Sequence, residues 1–330
     1  MSEQVAVLYD VPGPRARSRT TIATVVAAVL LAFTLYWFGY RPLASAGELS
    51  MDKWGPLVDP GHDNFAAVWR RIGEGFRATL LAALFAIVSS LLFGTFLAVL
   101  RMQLKALRGR RFRGLGRMVA VLLRALGALL GVATRVFVEV FRGIPVVLTI
   151  FFTWRVLPEF GLRPPTVPLG FVELPSLLWT LVIGLTLYNG VVIGEILRSG
   201  MEGLPGGQRE AAQAIGLTSL QTTTRILLPQ AYRVMLPALI SQLVVVLKDT
   251  ALGFIILYPE VMRVANLAAD ALRPRNPIQL YAVVGTIFIV VNYTLSRLAL
   301  YLERRLARGR RDTAVRRSPV PTRVGAPVGR

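Results

Sequence analysis

Long apolar runs separated by charged connections set the pattern of the chain. A helix needs roughly 20 apolar residues to cross about 30 Å of hydrocarbon. Five runs reach or approach that length: 21–39, 78–100, 175–197, 236–257 and 280–301. A sixth is less regular. Residues 143–153 are too few to cross alone, so that helix is expected to borrow from 118–142, where Arg124, Arg135, Glu139 and Arg142 interrupt the apolar series. At 100° per residue these four fall within about 60° of one another, a single polar stripe on an apolar helix. The stripe reads as an interfacial helix leading into the membrane, with a stripe facing the protein interior as the alternative. The expected fold is an all-α integral membrane protein with about six transmembrane helices.

Composition agrees. The 330 residues are 54% hydrophobic with mean hydropathy +0.56, above the apolar usage of about 45–50% in soluble chains. The absence of cysteine removes disulfides, cysteine-ligated zinc and thiol nucleophiles, and the single histidine, His62, removes H-E-x-x-H chemistry, which needs two. The net charge of +20 takes its meaning from its distribution. Segments 1–20, 101–117, 199–233 and 303–330 carry 22 Lys and Arg, whereas 41–77, 159–174 and 258–279 carry nine, offset by nine acids. Basic loops stay in the cytoplasm, so both termini are expected inside. The charge is then a topological signal with some attraction for anionic membrane lipid, and no nucleic-acid partner is expected.

These boundaries divide the chain into a cytoplasmic N-terminus (1–20), a first membrane helix (21–40), an external loop (41–77) read as a spacer, a helical core (78–302) and a basic cytoplasmic tail (303–330) read as disordered. Ala44-Ser45-Ala46 resembles a small-residue cleavage site, but the apolar run before it exceeds the 7–15 residues of a signal h-region, so the first helix is expected to be retained.

The connection at 204–229 is the most informative. Pro205-Gly206-Gly207 allows one helix to end and another to begin, and Gln208–Ile215 is expected to be a short helix with Glu210 in its first turn, where the macrodipole favours an acid. Gly216 should end it, Thr218 or Ser219 should cap a second short helix through Arg225, and Pro229 should stop that helix running into the next span. Ala211, Ala212 and Ala214 form a small face that another backbone can approach.

This pattern resembles the EAA loop of ABC-importer permeases, E-A-A-x-x-x-G followed after nine residues by I-x-L-P, with Glu210, Ala211, Ala212, Gly216, Ile226, Leu228 and Pro229 at its fixed positions. The flanks resemble the polar amino acid uptake family: Phe141-Arg142-Gly143-Ile144-Pro145 its F-R-G-T-P, Glu195-Ile196-Leu197-Arg198 its E-I-x-R, Leu204–Gln208 its approach to the loop, and Lys248-Asp249-Thr250-Ala251-Leu252 its K-D-T-S-L. Tyr188-Asn189-Gly190-Val191-Val192 with Arg198-Ser199-Gly200-Met201 looks closest to the glutamate-uptake branch of high-GC Gram-positive bacteria. Ile144, Ala251 and Val192 depart from the family's usual Thr, Ser and Tyr. The likeness spans roughly 70–305, leaving the first helix and basic tail as additions to a five-helix type I importer core.

The resemblance implies a permease subunit of the cell membrane that is not itself an enzyme and binds no cofactor. Two copies of a separate ATPase subunit would bind ATP and Mg, a second permease chain, homologous or identical, would complete the path, and an extracellular solute-binding protein would deliver the substrate. It also implies that Gln208, Glu210, Ala211, Ala212, Gly216 and Pro229 receive the ATPase stroke. The sequence agrees that the chain is no P-loop ATPase, because Lys53, Lys105 and Lys248 are its only lysines and none follows a glycine.

Charges inside a membrane cost about 2.5–3.5 kcal/mol each on insertion scales, which singles out Glu195, Lys248 and Asp249. Lys248 and Asp249 point about 100° apart on a helix, to serve either a substrate's carboxylate and amino group or a structural and gating role. Tyr188, Asn189 and Thr250 complete the candidate substrate path. Glu195 is expected to pair with Arg198 at i+3, and Gln242 to bridge helices. The alternative is an ion-coupled secondary transporter, which would show inverted repeats. An intramembrane enzyme would need paired catalytic groups that the spans lack.

Overall fold

The computed structural model describes residues 13–109, 117–169 and 172–315. Helix α1 (Pro14–Thr34) continues through a π-helical turn (Leu35–Tyr40) into α2 (Arg41–Ser45), so the first helix is longer than the 21–40 expected, and no residue of α1 is buried. Then follow α3 (Met51–Val58), α4 (Phe65–Gly109), α5 (Arg117–Gly143) and α6 (Val146–Val156). A two-stranded antiparallel hairpin, β1 (Val167–Leu169) and β2 (Val172–Leu174), pairs Val167 with Leu174. After it come α7 (Ser176–Glu202), α8 (Gly207–Ala214), α9 (Ser219–Gln221), α10 (Leu228–Val234), α11 (Leu236–Asp249), α12 (Val261–Ala271) and α13 (Pro277–Val315). Among the described residues six helices are long and apolar enough to cross a membrane, the number expected, but the sixth is Met118–Gly143 itself and not the 143–153 run. The small hairpin is the addition to an otherwise helical chain.

Four further boundaries differ from expectation. The 118–153 segment is two helices rather than one, because Pro145 lacks the N–H that continuation needs and its extended backbone (φ −60°, ψ 140°) turns the chain out of the helix. The 41–77 connection is not a bare spacer. Its helix α3 is held down where Asn276 donates to the Lys53 carbonyl (2.9 Å), Gln279 to the Glu48 carbonyl (2.6 Å) and Trp69 to the Leu57 carbonyl (3.1 Å). Helix α4 extends well beyond 78–100 at both ends. The basic tail, read as disordered, remains helical through Val315, since alanine, leucine and arginine propagate a helix already nucleated; residues 316–330 lie outside the described residues.

Helices α4 and α7 form the spine. Ser89 meets Thr186 at 2.5 Å, Phe93 lies against Gly190, and Lys105 pairs with Glu202 at 2.8 Å, so the two run parallel. Lipid tails are as apolar as leucine, so close backbone packing must hold such a pair. A Cβ on Gly94 would meet the Gly190 carbonyl oxygen at 2.7 Å, and one on Gly194 the Gly94 carbonyl oxygen at 3.1 Å. Two parallel helices require one return crossing, which α5 and α6 make together. Helix α11 runs antiparallel to α7, with Met235 beside Gly200 at one end and Gln242 bonded to Asn189 further along.

The core falls into layers. Ala82, Ala86, Ile150, Leu181, Leu185 and Val246 fill the centre. Ile72, Val261, Ala265 and Leu280 join α4, α12 and α13 at the end where α4 begins. There the buried Glu260 caps α12, accepting from the N–H groups of Met262 (2.8 Å) and Arg263 (2.6 Å). Burial pushes its carboxyl up to about 7 although those two donors favour the charged form. Ala98, Leu197, Met201, Leu227 and Ala231 close the opposite end, where α8 sits.

Candidate functional site

At that end the chain leaves α7 through Gly203 and Pro205 and begins α8 with Gln208 N–H donating to the Pro205 carbonyl (3.1 Å). Glu210 lies in the first turn, exposed, as the sequence predicts. The alanines do not share one face. Ala212 is turned inward and only 4% exposed, whereas Ala211 and Ala214 face outward. Gly216 ends the helix in the left-handed region (φ +81°), with Leu217 N–H bonded to the Ala212 carbonyl and Gly216 N–H to that of Gln213, both at 3.0 Å. This Schellman geometry favours a residue without a Cβ just past the helix end, the place Gly216 occupies.

Thr218 is the cap of the next helix: its Oγ1 accepts from Gln221 N–H (3.3 Å) while Gln221 Oε1 accepts from Thr218 N–H (2.9 Å). That helix does not stop at Pro229. A π-helical turn over Thr222–Leu227 leads into α10, and helical chain continues to Val234. The wider turn accommodates a ring that would collide with the carbonyl four residues back in a regular α-helix. The break comes at Met235, followed by Pro237.

This bent surface segment is fastened to the bundle. Gln103 of α4 donates to Thr223 Oγ1 (2.9 Å), the hydroxyls of Thr95 and Tyr232 are hydrogen-bonded, and a cavity of about 680 Å³ lies between the α4 terminus and the loop, lined by Gln103, Arg209, Gln213 and Thr218. Ile215 (77% exposed) and Leu220 (52% exposed) project from it with no cover among the described residues. Sequence reasoning missed this pair, although two branched apolar side chains in a polar loop were the available signal.

The candidate path residues divide into groups. Asn189 of α7 is fully buried; it donates to the Leu185 carbonyl (3.2 Å) and to Asp249 Oδ2 of α11 (3.5 Å), and accepts from Gln242 Nε2 (2.7 Å). Thus Asn189, Asp249 and Gln242 form one polar cluster linking two spans. Thr250, also buried, donates to the Leu247 carbonyl (2.6 Å), its one side-chain bond among the described residues. Lys248 is exposed and Tyr188 half-buried, and neither is drawn into the cluster. Glu195 pairs with Arg198 (3.0 Å), as expected from the i+3 spacing, and also with Arg101 of α4. Arg101 was missed because the sequence assigned it to a connecting loop, whereas α4 carries it inside the bundle.

The family of binding-protein-dependent transport system inner membrane components matches residues 113–308. The chain is 39% identical over 270 residues to the glutamate transport system permease protein of Corynebacterium glutamicum, covering 81% of this chain and 85% of that protein. It is 32% identical over 244 residues to the probable glutamine ABC transporter permease protein of Bacillus subtilis, covering 73% and 94%. The fold is similar to a crystal structure of an amino acid ABC transporter with histidines, at TM-score 0.52 and 22% identity, covering 73% of this chain and 96% of that one.

Proposed function

The chain belongs to the family of binding-protein-dependent transport system inner membrane components, and from that premise we propose that it conducts a polar amino acid, glutamate foremost, powered by ATP hydrolysed with Mg in separate subunits. It is a multi-pass permease subunit of an amino acid importer in the cytoplasmic membrane and not an enzyme, which sets aside the ion-coupled alternative. The glutamate assignment draws on the 39% identity to a permease of that name.

One observation carries the mechanism: α8 presents Glu210 and Ala211 outward while Ala212 anchors it inward, at the end of the bundle where α7, α10 and the last turns of α4 meet. We read α8 with Gly216 and Pro229 as the lever on which two ATPase copies push. Because α8 packs on the π-helical turn over Thr222–Leu227 and joins α7 through Gly203–Gly206, a push there would reach both α10 and α7. Both termini then lie in the cytoplasm, a second permease chain completes the path, and an external solute-binding protein loads the opposite face. Asn189 and Asp249 sit where the lever's motion would open or close a polar route between α7 and α11.

Reconstituted with its partner subunits, the Glu210→Lys chain is expected to insert normally, bind the ATPase poorly and lose glutamate uptake. Gly216→Pro is expected to do the same, since proline's φ near −65° excludes the +81° the turn requires. Normal uptake in either variant would overturn the lever. Competition by unlabelled amino acids in the same proteoliposomes reads the substrate.

A further inference from the structure

Between α4, α5 and α7, near the ends where α4 and α7 finish, lies a second cavity of about 290 Å³. Its walls carry Arg101, Lys105, Arg108, Arg135 and Arg198 with a single lining carboxylate, Glu202. Glu195 adjoins it through Arg101 and Arg198, and Glu139 lies near Arg101, which leaves five cations facing three carboxylates. Two of the carboxylates are already engaged: Glu195 by Arg101 and Arg198, Glu202 by Lys105 (2.8 Å) and Arg198 (2.5 Å). Arg108 and Arg135 have no ion-pair partner among the described residues, and neither does Glu139, one turn beyond Arg135.

The geometry holds one of these two arginines in place. Arg108 reaches back across α5 to donate to the Ala128 carbonyl (2.9 Å), and its guanidinium lies over Gly131, where any Cβ would collide with it. On α5 the neighbours of the lining residue Gly131, Leu130 and Val132, are apolar and exposed, as is Leu123 two turns earlier. Guanidinium groups without ion-pair partners facing a polar hollow, bordered by exposed apolar surface of a helix long and apolar enough to cross a membrane, fit a ligand with an anionic head and hydrocarbon tails.

We infer that this cavity binds the phosphodiester headgroup of an anionic lipid, through Arg108 and Arg135, with its acyl chains along the exposed face of α5. The location in the cytoplasmic leaflet rests on the orientation proposed above. The headgroup site itself does not, so a wrong orientation would appear in a sidedness assay and leave lipid binding unchanged.

The test is native mass spectrometry of the full chain purified with its partner subunits and titrated with phosphatidylglycerol, phosphatidylcholine or inorganic phosphate. Wild type is expected to retain phosphatidylglycerol in preference to phosphatidylcholine. Arg108→Gln with Arg135→Gln should weaken that retention roughly 30-fold, the loss of two arginines at an anionic surface, while Arg15→Gln with Arg17→Gln, the same charge change on exposed α1, should leave it unaltered. Since Arg108 also ties α4 to α5, Arg135→Gln alone provides the variant that leaves this tie in place, with an expected weakening of about fivefold. Equal retention in wild type and Arg135→Gln, or equal binding of phosphatidylcholine, would overturn the site. Displacement of the lipid by millimolar phosphate would assign the cavity to a free anion and overturn the lipid.

Discussion

Asn189 is a buried polar side chain on which two spans converge. With no exposed surface it spends its amide on both α7 and α11, accepting from Gln242 and donating toward Asp249. Asn189→Ala would leave the Gln242 amide and the Asp249 carboxylate facing each other across an emptied site, at a cost of about 1–3 kcal/mol for the stranded groups. A lower detergent melting temperature is the expected result, with part of the loss restored when Gln242→Leu is added, because the second change removes one orphan. No restoration in the double variant would mean the two side chains do not act together. The asparagine and the aspartate were both legible as polar residues in apolar runs. Their convergence was not, since 60 positions separate them along the chain and no local periodicity encodes which face of α11 meets α7.

The helices show the same division between local and long-range information. Hydropathy located each span but reported only its apolar stretch: α4 was expected over 78–100 and runs over Phe65–Gly109, because arginine and lysine continue a helix as readily as they end an apolar window. The surface hairpin was legible to within a residue at α8, its glycine turn and its threonine cap, since these are local chemistry. The passage of helix through Pro229 was not, because it depends on a π-helical turn that no propensity signals. The α4–α7 contact yields the next expected outcome. Gly94→Val would drive a branched side chain into the Gly190 carbonyl and Ile193, both 2.7 Å from the first added carbon, and overpacking of that kind costs about 1–3 kcal/mol. Size-exclusion profiles in detergent should show less monodisperse protein. A Gly39→Val control should behave as wild type, since nothing lies within 4 Å of a Cβ there.

For the whole molecule, the charge distribution and the packing agree on which ends belong together. The finishing turns of α4 and α7, the hairpin from α8 to α10 and the course of α13 place the basic connections at one end, and α3 and α12 meet the start of α4 at the other. The chain contains no cysteine, so single cysteines introduced at Ala214 and at Asp59 in separate variants report sidedness without background. In intact cells an impermeant maleimide is expected to label the Asp59 variant alone. Labelling of Ala214 from outside would reverse the orientation.

The glycine contact between α4 and α7 constrains where this permease is free to yield. Two rods joined backbone to backbone travel as one piece, and α7 runs on into the surface lever with only Gly203–Gly206 between. On the proposed lever reading, a push at α8 would move α4 and α7 together, and the seam left to part is the opposite one, where Gln242 is bonded to Asn189.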